Sequence, residues 1–561
     1  MRTANHPFFA DRIRRVLQTG GSLLGRWQLA TTFIAALVLA PLLVVLASLF
    51  TPADEVWEHL VQTVLLELLT NTFWLVLGVG FGTGILGVSL AWLTATCEFP
   101  GRKIFDWALV LPLAIPAYVI AFVAIGLLEF TGPVQTHLRE WTNTSQFWFP
   151  RIRSTGGIIL VMTLAFYPYV YLLSRNAFLT QGRRRMEEVA RSLGHSPWGA
   201  FFRVALPMAR PWIIGGLMLA LMETLADFGT VATFNYDTFT TGIYKAWFGM
   251  FSLPAAAQLS SILVLIVFVM LLLEQTLRSR SRFTPMARQG VPDERVTLRN
   301  VRAWLASIYC AVVLTVAFLI PVVQLTLWTH DVFRDDFDLR YFGFVGHSIL
   351  LGAMAALLTT TCALVLVYTQ RLSSHLWTRS MVRLATLGYA LPGAVLAVGG
   401  IILATWVDRQ LIAWARDWIG LDLGLFITGT LFTILLAYLA RFLAVAHSPM
   451  DSAMQRITPS VDEASRCLGL GGLAMLRRVH LPMLRGGILT AAVLVFVDVM
   501  KEMPITLMTR SFGWDTLAVR IFEMTSEGQW ERAALPAVTL VLTGFIPVML
   551  LTREAGRNAD H

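Results

Sequence analysis

The chain has 561 residues, 56% of them hydrophobic and only 14% charged, with a mean hydropathy of +0.65. Average globular chains carry about 25% charged residues, and here apolar runs near the ~20 residues that span a bilayer core recur along the whole length, which excludes a soluble enzyme with one anchor. The formal charge of +9, from 44 Lys and Arg against 35 Asp and Glu, is a topology signal in such a chain before it is a sign of nucleic acid, and no basic low-complexity tail is present.

At the start, Arg12, Arg14, Arg15 and Arg26 precede an apolar run from Gln28 to Phe50. That run exceeds the roughly 7 to 15 residues of a signal-peptide core, so it reads as a retained first span. Further spans are expected near 72–96, 105–130, 157–177, 211–233 and 257–277, then near 304–328, 345–369, 380–405, 425–446, 487–508 and 534–552. Twelve crossings result. Pro112, Pro116 and Pro392 mark stretches expected to kink or re-enter. Cys97, Cys310, Cys362 and Cys467 are scattered with no metal or disulfide spacing.

With an even number of spans both termini face one side, and the segments sharing that side hold most of the Lys and Arg. The positive-inside rule makes that side cytoplasmic. Segments on the other side, such as Asp331 to Asp338 and Asp515 to Glu531, are relatively acidic.

The second six spans follow the first by about 275 residues, and a shift of 275 pairs Glu188 with Glu463, Arg191 with Arg466, Leu193 with Leu468 and Gly194 with Gly469. It also pairs Arg203, Val204, Leu206, Pro207, Met208 and Arg210 with Arg478, Val479, Leu481, Pro482, Met483 and Arg485. Ten identities in 23 ungapped positions mark a duplication. A shift of 276 aligns Ile115-Pro116-Ala117 with Leu391-Pro392-Gly393. Six spans per half make the repeats parallel, related by an axis along the membrane normal, along which cargo is expected to move. The expected layout is a cytoplasmic segment 1–27, a first half 28–277 with a loop 178–210, a basic linker 278–303, a second half 304–552 with a loop 447–485, and a tail 553–561.

The duplicated element reads Glu187-Glu188-Val189-Ala190-Arg191-Ser192-Leu193-Gly194, nine residues, then Val204-Ala205-Leu206-Pro207; its copy is Asp462-Glu463-Ala464-Ser465-Arg466-Cys467-Leu468-Gly469, nine residues, then Val479-His480-Leu481-Pro482. Acids suit the positive end of a short helix, and glycine permits a left-handed turn. A second helix is expected to follow and to end before the proline. Ala190, Ala464 and Ser465 would let a partner's backbone approach closely. A helix merely resting on the leaflet would not need this spacing twice.

The pattern Glu-Ala-Ala, three residues, Gly, nine residues, hydrophobic-x-Leu-Pro resembles the cytoplasmic coupling loop of binding-protein-dependent ABC importer permeases, and the fused twelve-span layout is similar to their ferric-iron subgroup. The resemblance covers nearly the whole chain and implies an all-α polytopic membrane protein of the type I importer kind, two parallel six-helix repeats. It implies that Glu188, Ala190, Gly194, Leu206 and Pro207 in one loop, and Glu463, Ala464, Gly469, Leu481 and Pro482 in the other, each dock one of two copies of a cytoplasmic ABC ATPase. Val189 departs from the motif, which prefers Ala.

The chain lacks the energy source itself. A phosphate-binding loop needs Gly-Lys-Ser/Thr, and Lys103, Lys245 and Lys501 are followed by Ile104, Ala246 and Glu502. No nucleophile elbow or His-Glu-x-x-His pattern occurs, so the chain is read as a transport subunit and not an enzyme. It is expected to bind no cofactor, with ATP and Mg on the partner.

Glu223 and Asp227 fall four apart on the fifth span, and Asp498 and Glu502 repeat them 275 residues later. A charge at the bilayer centre costs ~3 kcal/mol on insertion scales and usually faces a cavity or a partner. Spacing of four puts each pair on one helix face. They read either as a cation-attracting lining or as structural groups, neutralised by Lys501 or a nearby Arg or bonded to loops at the span ends. The segments Glu223 to Thr230 and Lys501 to Leu507 also resemble those of ferric-iron permeases. His137, His195, His330, His347, His375, His447 and His480 are dispersed singly and read as loop or helix-end residues. Tyr236, Asp237 and Tyr244 offer hard oxygens for a ferric ion, though an importer has to release its cargo, and no metal-binding residues are assigned.

The expectation is a permease of the bacterial inner membrane, both termini cytoplasmic, importing ferric iron from a periplasmic binding protein by alternating access, with no nucleic acid partner. The same frame could import thiamine or a phosphonate. A proton-coupled secondary transporter is the rival of another class, disfavoured because it has no ATPase to dock, and a receptor-like scaffold lacks any sensory or catalytic domain.

Overall fold

The computed structural model describes residues 7–52, 54–144, 148–181, 197–279, 295–373, 375–420 and 424–559. Backbone polar groups find no water in a bilayer core, so long apolar segments close their hydrogen bonds within helices. Eleven helices among the described residues are long and apolar enough to cross a membrane, from Gly25–Phe50 to Gly472–Lys501. The twelfth expected span falls on the helix Trp530–Ala559.

Proline breaks two spans where kinks were expected. Residues 105–130 divide into Arg102–Ala108, a tight turn at Leu111–Ala114 and Ala117–Leu128; the second half repeats this with Leu376–Ala385, Leu387–Ala390 and Gly393–Ile419. In both, the residue before proline is extended, as the pyrrolidine ring demands.

At the duplicated loops the expectation was wrong. The helix after each loop does not end before Pro207 or Pro482: Pro197–Ala200, Phe201–Ala205 and Leu206–Ala226 run on as one helical path, and so do Gly472–Met475, Leu476–His480 and Leu481–Lys501. Phe201–Ala205 and Leu476–His480 are wider π turns. That local widening shifts the bonding partners just ahead of each proline, so the missing N–H and the ring are accommodated. The far ends differ from expectation as well. The spans drawn at 211–233 and 487–508 stop at Ala226 and Lys501, and short helices Gly229–Thr233 and Pro504–Thr509 follow.

The chain forms two compact units: one of Met1–Ala47, Phe342–Thr516 and Leu542–His561, the other of Ser48–Tyr341 and Leu517–Val541. These packing units do not follow the sequence repeats. The first helix packs on Leu376–Ala385, Gly393–Ile419 and Leu431–Gln455 of the second repeat, where Trp377 donates to the Thr32 hydroxyl (3.2 Å). The helices Val301–Leu314 and Ile320–Asp336, which open the second repeat, pack in the unit that holds the first. Ser307 donates to the Pro100 carbonyl (2.8 Å), and Trp328 stacks on Phe122.

Inside the unit that begins at Ser48, the main contact joins Leu65–Thr96 to Thr155–Gln181. Gly78 and Gly82, four apart, let the helices meet: a Cβ would stand 2.4 Å from Ile159 Cδ1 at the first and 2.4 Å from Thr163 Oγ1 at the second. Lipid tails are as apolar as side chains, so such close approach, not hydrophobic drive, holds membrane helices together. A two-residue parallel ladder pairs Cys97–Glu98 with Val296–Thr297, tying the described end of the linker to this unit.

Candidate functional site

The second copy of the duplicated loop, expected to couple to an ATPase, is described in full. Its helix, Pro459–Cys467, buries Asp462 and Ser465 and exposes Glu463, Ala464, Cys467 and Leu468, the leucine to 80%. Ser465 therefore belongs to the inward face, where its hydroxyl donates to the Val461 carbonyl (2.7 Å), and Ala464 is the small residue offered outward. Gly469 ends the helix with φ +78°. Its N–H meets the Arg466 carbonyl and that of Leu470 meets Ser465, both at 2.9 Å. This closure satisfies the final carbonyls and needs a left-handed residue that glycine adopts without a Cβ penalty. Leu481 is half-buried and Pro482 exposed. In the first loop, Leu206 is half-buried and Pro207 exposed, while Glu188, Ala190, Gly194 and His195 lie outside the described residues.

Beneath the exposed face is a buried ionic cluster. Asp462 accepts from His480 Nε2 (2.9 Å) and from Arg371 Nε (2.8 Å). The second arm of Arg371 donates to the Ile457 carbonyl (2.9 Å). Burial raises the Asp462 carboxyl, but hydrogen bonds and charge from His480 and Arg371 outweigh it and hold the group below the usual carboxylate range. Tyr368, one turn before Arg371, sets its ring edge on His480 and donates to the Gly472 carbonyl (2.7 Å).

The four acids do not form two equal pairs on helix faces. Asp227 and Glu502 lie just past the ends of their helices. Asp227 turns to the next short helix, accepting from Thr230 N (2.7 Å) and Thr230 Oγ1 (2.9 Å). Glu502 repeats this, its Oε1 accepting from Ile505 N (3.0 Å). Each carboxylate supplies an acceptor for donors that the helix break leaves open. Glu223 and Asp498 sit one turn earlier, half-buried. Arg441, in the helix Leu431–Gln455, brings its Nε to 3.8 Å from Glu502 Oε2, with both side chains buried. Lys501, the other expected neutraliser, is half-buried at the helix end. Sequence reasoning missed Arg441, although a lone Arg inside the apolar run 425–446 was the available signal.

Among the described residues no three His, Cys, Asp or Glu side chains gather as a metal-holding group. The hard oxygens near 236 are otherwise engaged: Asp237 takes both its bonds from Lys245 (2.6 and 2.8 Å) and the Tyr236 hydroxyl donates to the Asn71 carbonyl (3.3 Å). Tyr244 joins an aromatic cluster with Phe228 and Phe522. A polar pocket of about 480 Å³ is lined by Arg153, Thr233, Asn235, Thr525, Glu527 and Trp530 among others. Arg153 there is already matched by Glu129 (2.9 Å) and the Thr233 carbonyl (3.0 Å).

Membrane-length helices along the chain and a loop motif present in both halves fit the membrane component of a transport system. The chain belongs to the binding-protein-dependent transport permeases: residues 83–282 match the family described as the binding-protein-dependent transport system inner membrane component. It is 30% identical over 505 residues, 89% of this chain and 92% of the other, to the Fe(3+)-transport system permease protein FbpB 2 of Haemophilus influenzae. The molybdenum transport system permease protein ModB of Escherichia coli K12 is 30% identical, with 39% of this chain covering 94% of it. The sulfate transport system permease protein CysT of Escherichia coli K12 is 26% identical, with 48% of this chain covering 97% of it. The molybdenum and sulfate permeases thus correspond to less than half of this chain, whereas the ferric-iron permease matches nearly all of it, as two fused halves require.

Proposed function

We propose that this chain is the permease of an ATP-driven importer that passes ferric iron from a periplasmic binding protein into the cytoplasm by alternating access. The observation that carries the cargo is the end-to-end likeness to a ferric-iron permease, against partial coverage of this chain by the molybdenum and sulfate permeases. The exposed Glu463, Ala464 and Leu468 beside the Gly469 turn support docking of a separate ATPase, which carries ATP and Mg. Two copies are expected, one per loop, with Glu188, Ala190 and Gly194 serving the first. Glu223 and Asp227 in one half, and Asp498 and Glu502 in the other, attract the cation, while Asp227 and Glu502 also hold the helix breaks in shape. Both termini and both coupling loops face the cytoplasm of a bacterium with an inner membrane.

Uptake of radiolabelled ferric iron by cells with and without the chain tests the cargo. Iron accumulation that depends on the chain supports the reading, and unchanged iron uptake with altered thiamine or phosphonate uptake replaces the cargo. Normal iron uptake by the variant carrying Glu223→Gln, Asp227→Asn, Asp498→Asn and Glu502→Gln contradicts the route. Single cysteines at Arg288, Tyr236 and Asp515, in a background without the four native thiols, test sidedness with an impermeant reagent: Arg288 is to stay protected in intact cells and the other two to label.

A further inference from the structure

We infer that Asp462, His480 and Arg371 form a latch that transmits motion of the second coupling helix to the membrane helices, with His480 as its positioning residue. The inference rests on the reading that this loop docks an ATPase. The geometry is specific. Arg371 stands in the last turn of Leu339–Leu372, Asp462 in the first turn of Pro459–Cys467, and His480 closes the π turn that leads into Leu481–Lys501. One carboxylate therefore binds the coupling helix to two membrane-spanning helices at once, with bonds of 2.8 and 2.9 Å.

His480 is fully buried. Its Nε2 is hydrogen-bonded to Asp462, and Nδ1 has no partner among the described residues. An imidazole held by a single charge-assisted bond is committed to Asp462. Arg371 is committed too, because its other arm holds the Ile457 carbonyl just ahead of the coupling helix. The outward face of that helix is built from different residues, Glu463, Ala464 and Leu468. Docking and transmission are thus separable by mutation.

The histidine is not repeated in the first half. Within the ungapped duplicated stretch, Ala205 occupies the position of His480, at the end of the matching π turn. Loss of the latch should uncouple one loop only, which lowers transport without abolishing ATPase binding.

The test compares His480→Leu, which fills the space without a hydrogen bond, with His480→Gln, whose amide can donate to Asp462. The parent and both variants are purified with the ATPase, and ATP hydrolysed per iron imported into proteoliposomes is measured. A hydrogen bond to a charged group carries on the order of tenfold in an equilibrium, so His480→Leu should raise ATP consumed per iron about tenfold, with ATPase retained, and His480→Gln should restore most of the coupling. Amide exchange over 459–468 in the permease alone should speed up in His480→Leu and not in His480→Gln. Parent-like ATP per iron in His480→Leu, unchanged exchange, or equal defects in both variants overturns the latch. Failure of the parent itself to retain an ATPase is a failure of the docking reading, and the exchange measurement still decides whether the latch exists.

Discussion

The two halves share a loop with ten identities in 23 positions, yet the residues around equivalent points differ in charge. At the helix break of the first half, Asp227 is satisfied by the backbone and hydroxyl of Thr230. At the second break, the longer Glu502 caps Ile505 with one oxygen and turns the other toward Arg441. Away from these breaks, each half also holds a buried or half-buried acid against arginine, at positions that do not align. The first half clamps Asp106 to Arg175 with two bonds of 2.7 and 2.6 Å, while the second places Asp462 between His480 and Arg371. Duplication kept the backbone devices, the π turn before proline and the acid that caps the break. The charged partners around them diverged.

The largest effect that separates the halves should come from Arg441→Met, because removing one member of a buried ion pair strands the other charge at a cost of ~3–5 kcal/mol. Thermal unfolding in detergent should register it, and adding Glu502→Gln should recover most of the loss. A double variant as unstable as the single one would mean that Arg441 acts by packing, not charge.

Next in size is Gly469→Ala. At φ +78° a Cβ costs roughly 1–2 kcal/mol, so the end of the coupling helix should fray and less ATPase should co-purify. Equal retention by Gly469→Ala and the parent would show that the turn does not shape the docking face. At the first break, Asp227→Ala should cost about 1 kcal/mol, as loss of a helix cap does, and Asp227→Asn much less, since one carbonyl oxygen still accepts from Thr230. Equal losses would tie the position to charge.

The smallest effect concerns acidity. The Asp462 carboxyl titrates below its unfolded value, so its contribution is complete above that value, near ~4, and is lost as pH falls through the lower folded one. Amide exchange over the coupling helix, corrected for intrinsic rates, should show no release attributable to Asp462 between neutrality and about pH 5. Asp462→Asn at neutral pH should release it. Fast exchange in the parent already at pH 6, absent from the Asn variant, would contradict the assignment.

Much of this was legible in the sequence because membrane helices announce themselves by length and apolarity, and a duplicated motif announces itself by identity. Pro116 and Pro392 gave the breaks in the third and ninth spans through their local sterics. The path through Pro207 and Pro482 was hidden, since a π turn has no residue signature and a proline after a loop reads equally well as a stop. The exchange of first spans between packing units was hidden too, because neither helix carries a mark of its partner. A lone histidine carries little signal in sequence. His480 became informative only when folding brought Asp462, 18 residues away, to its ring.

The most direct test of the central claim is reconstitution of the purified permease in proteoliposomes with its ATPase and binding protein, following radiolabelled ferric iron. Accumulation that requires ATP and the ATPase, persists when the proton gradient is collapsed, and is unaffected by competing molybdate and sulfate is the predicted result. Accumulation driven by a proton gradient without the ATPase, or ATP-dependent uptake of molybdate or sulfate in place of iron, would contradict it.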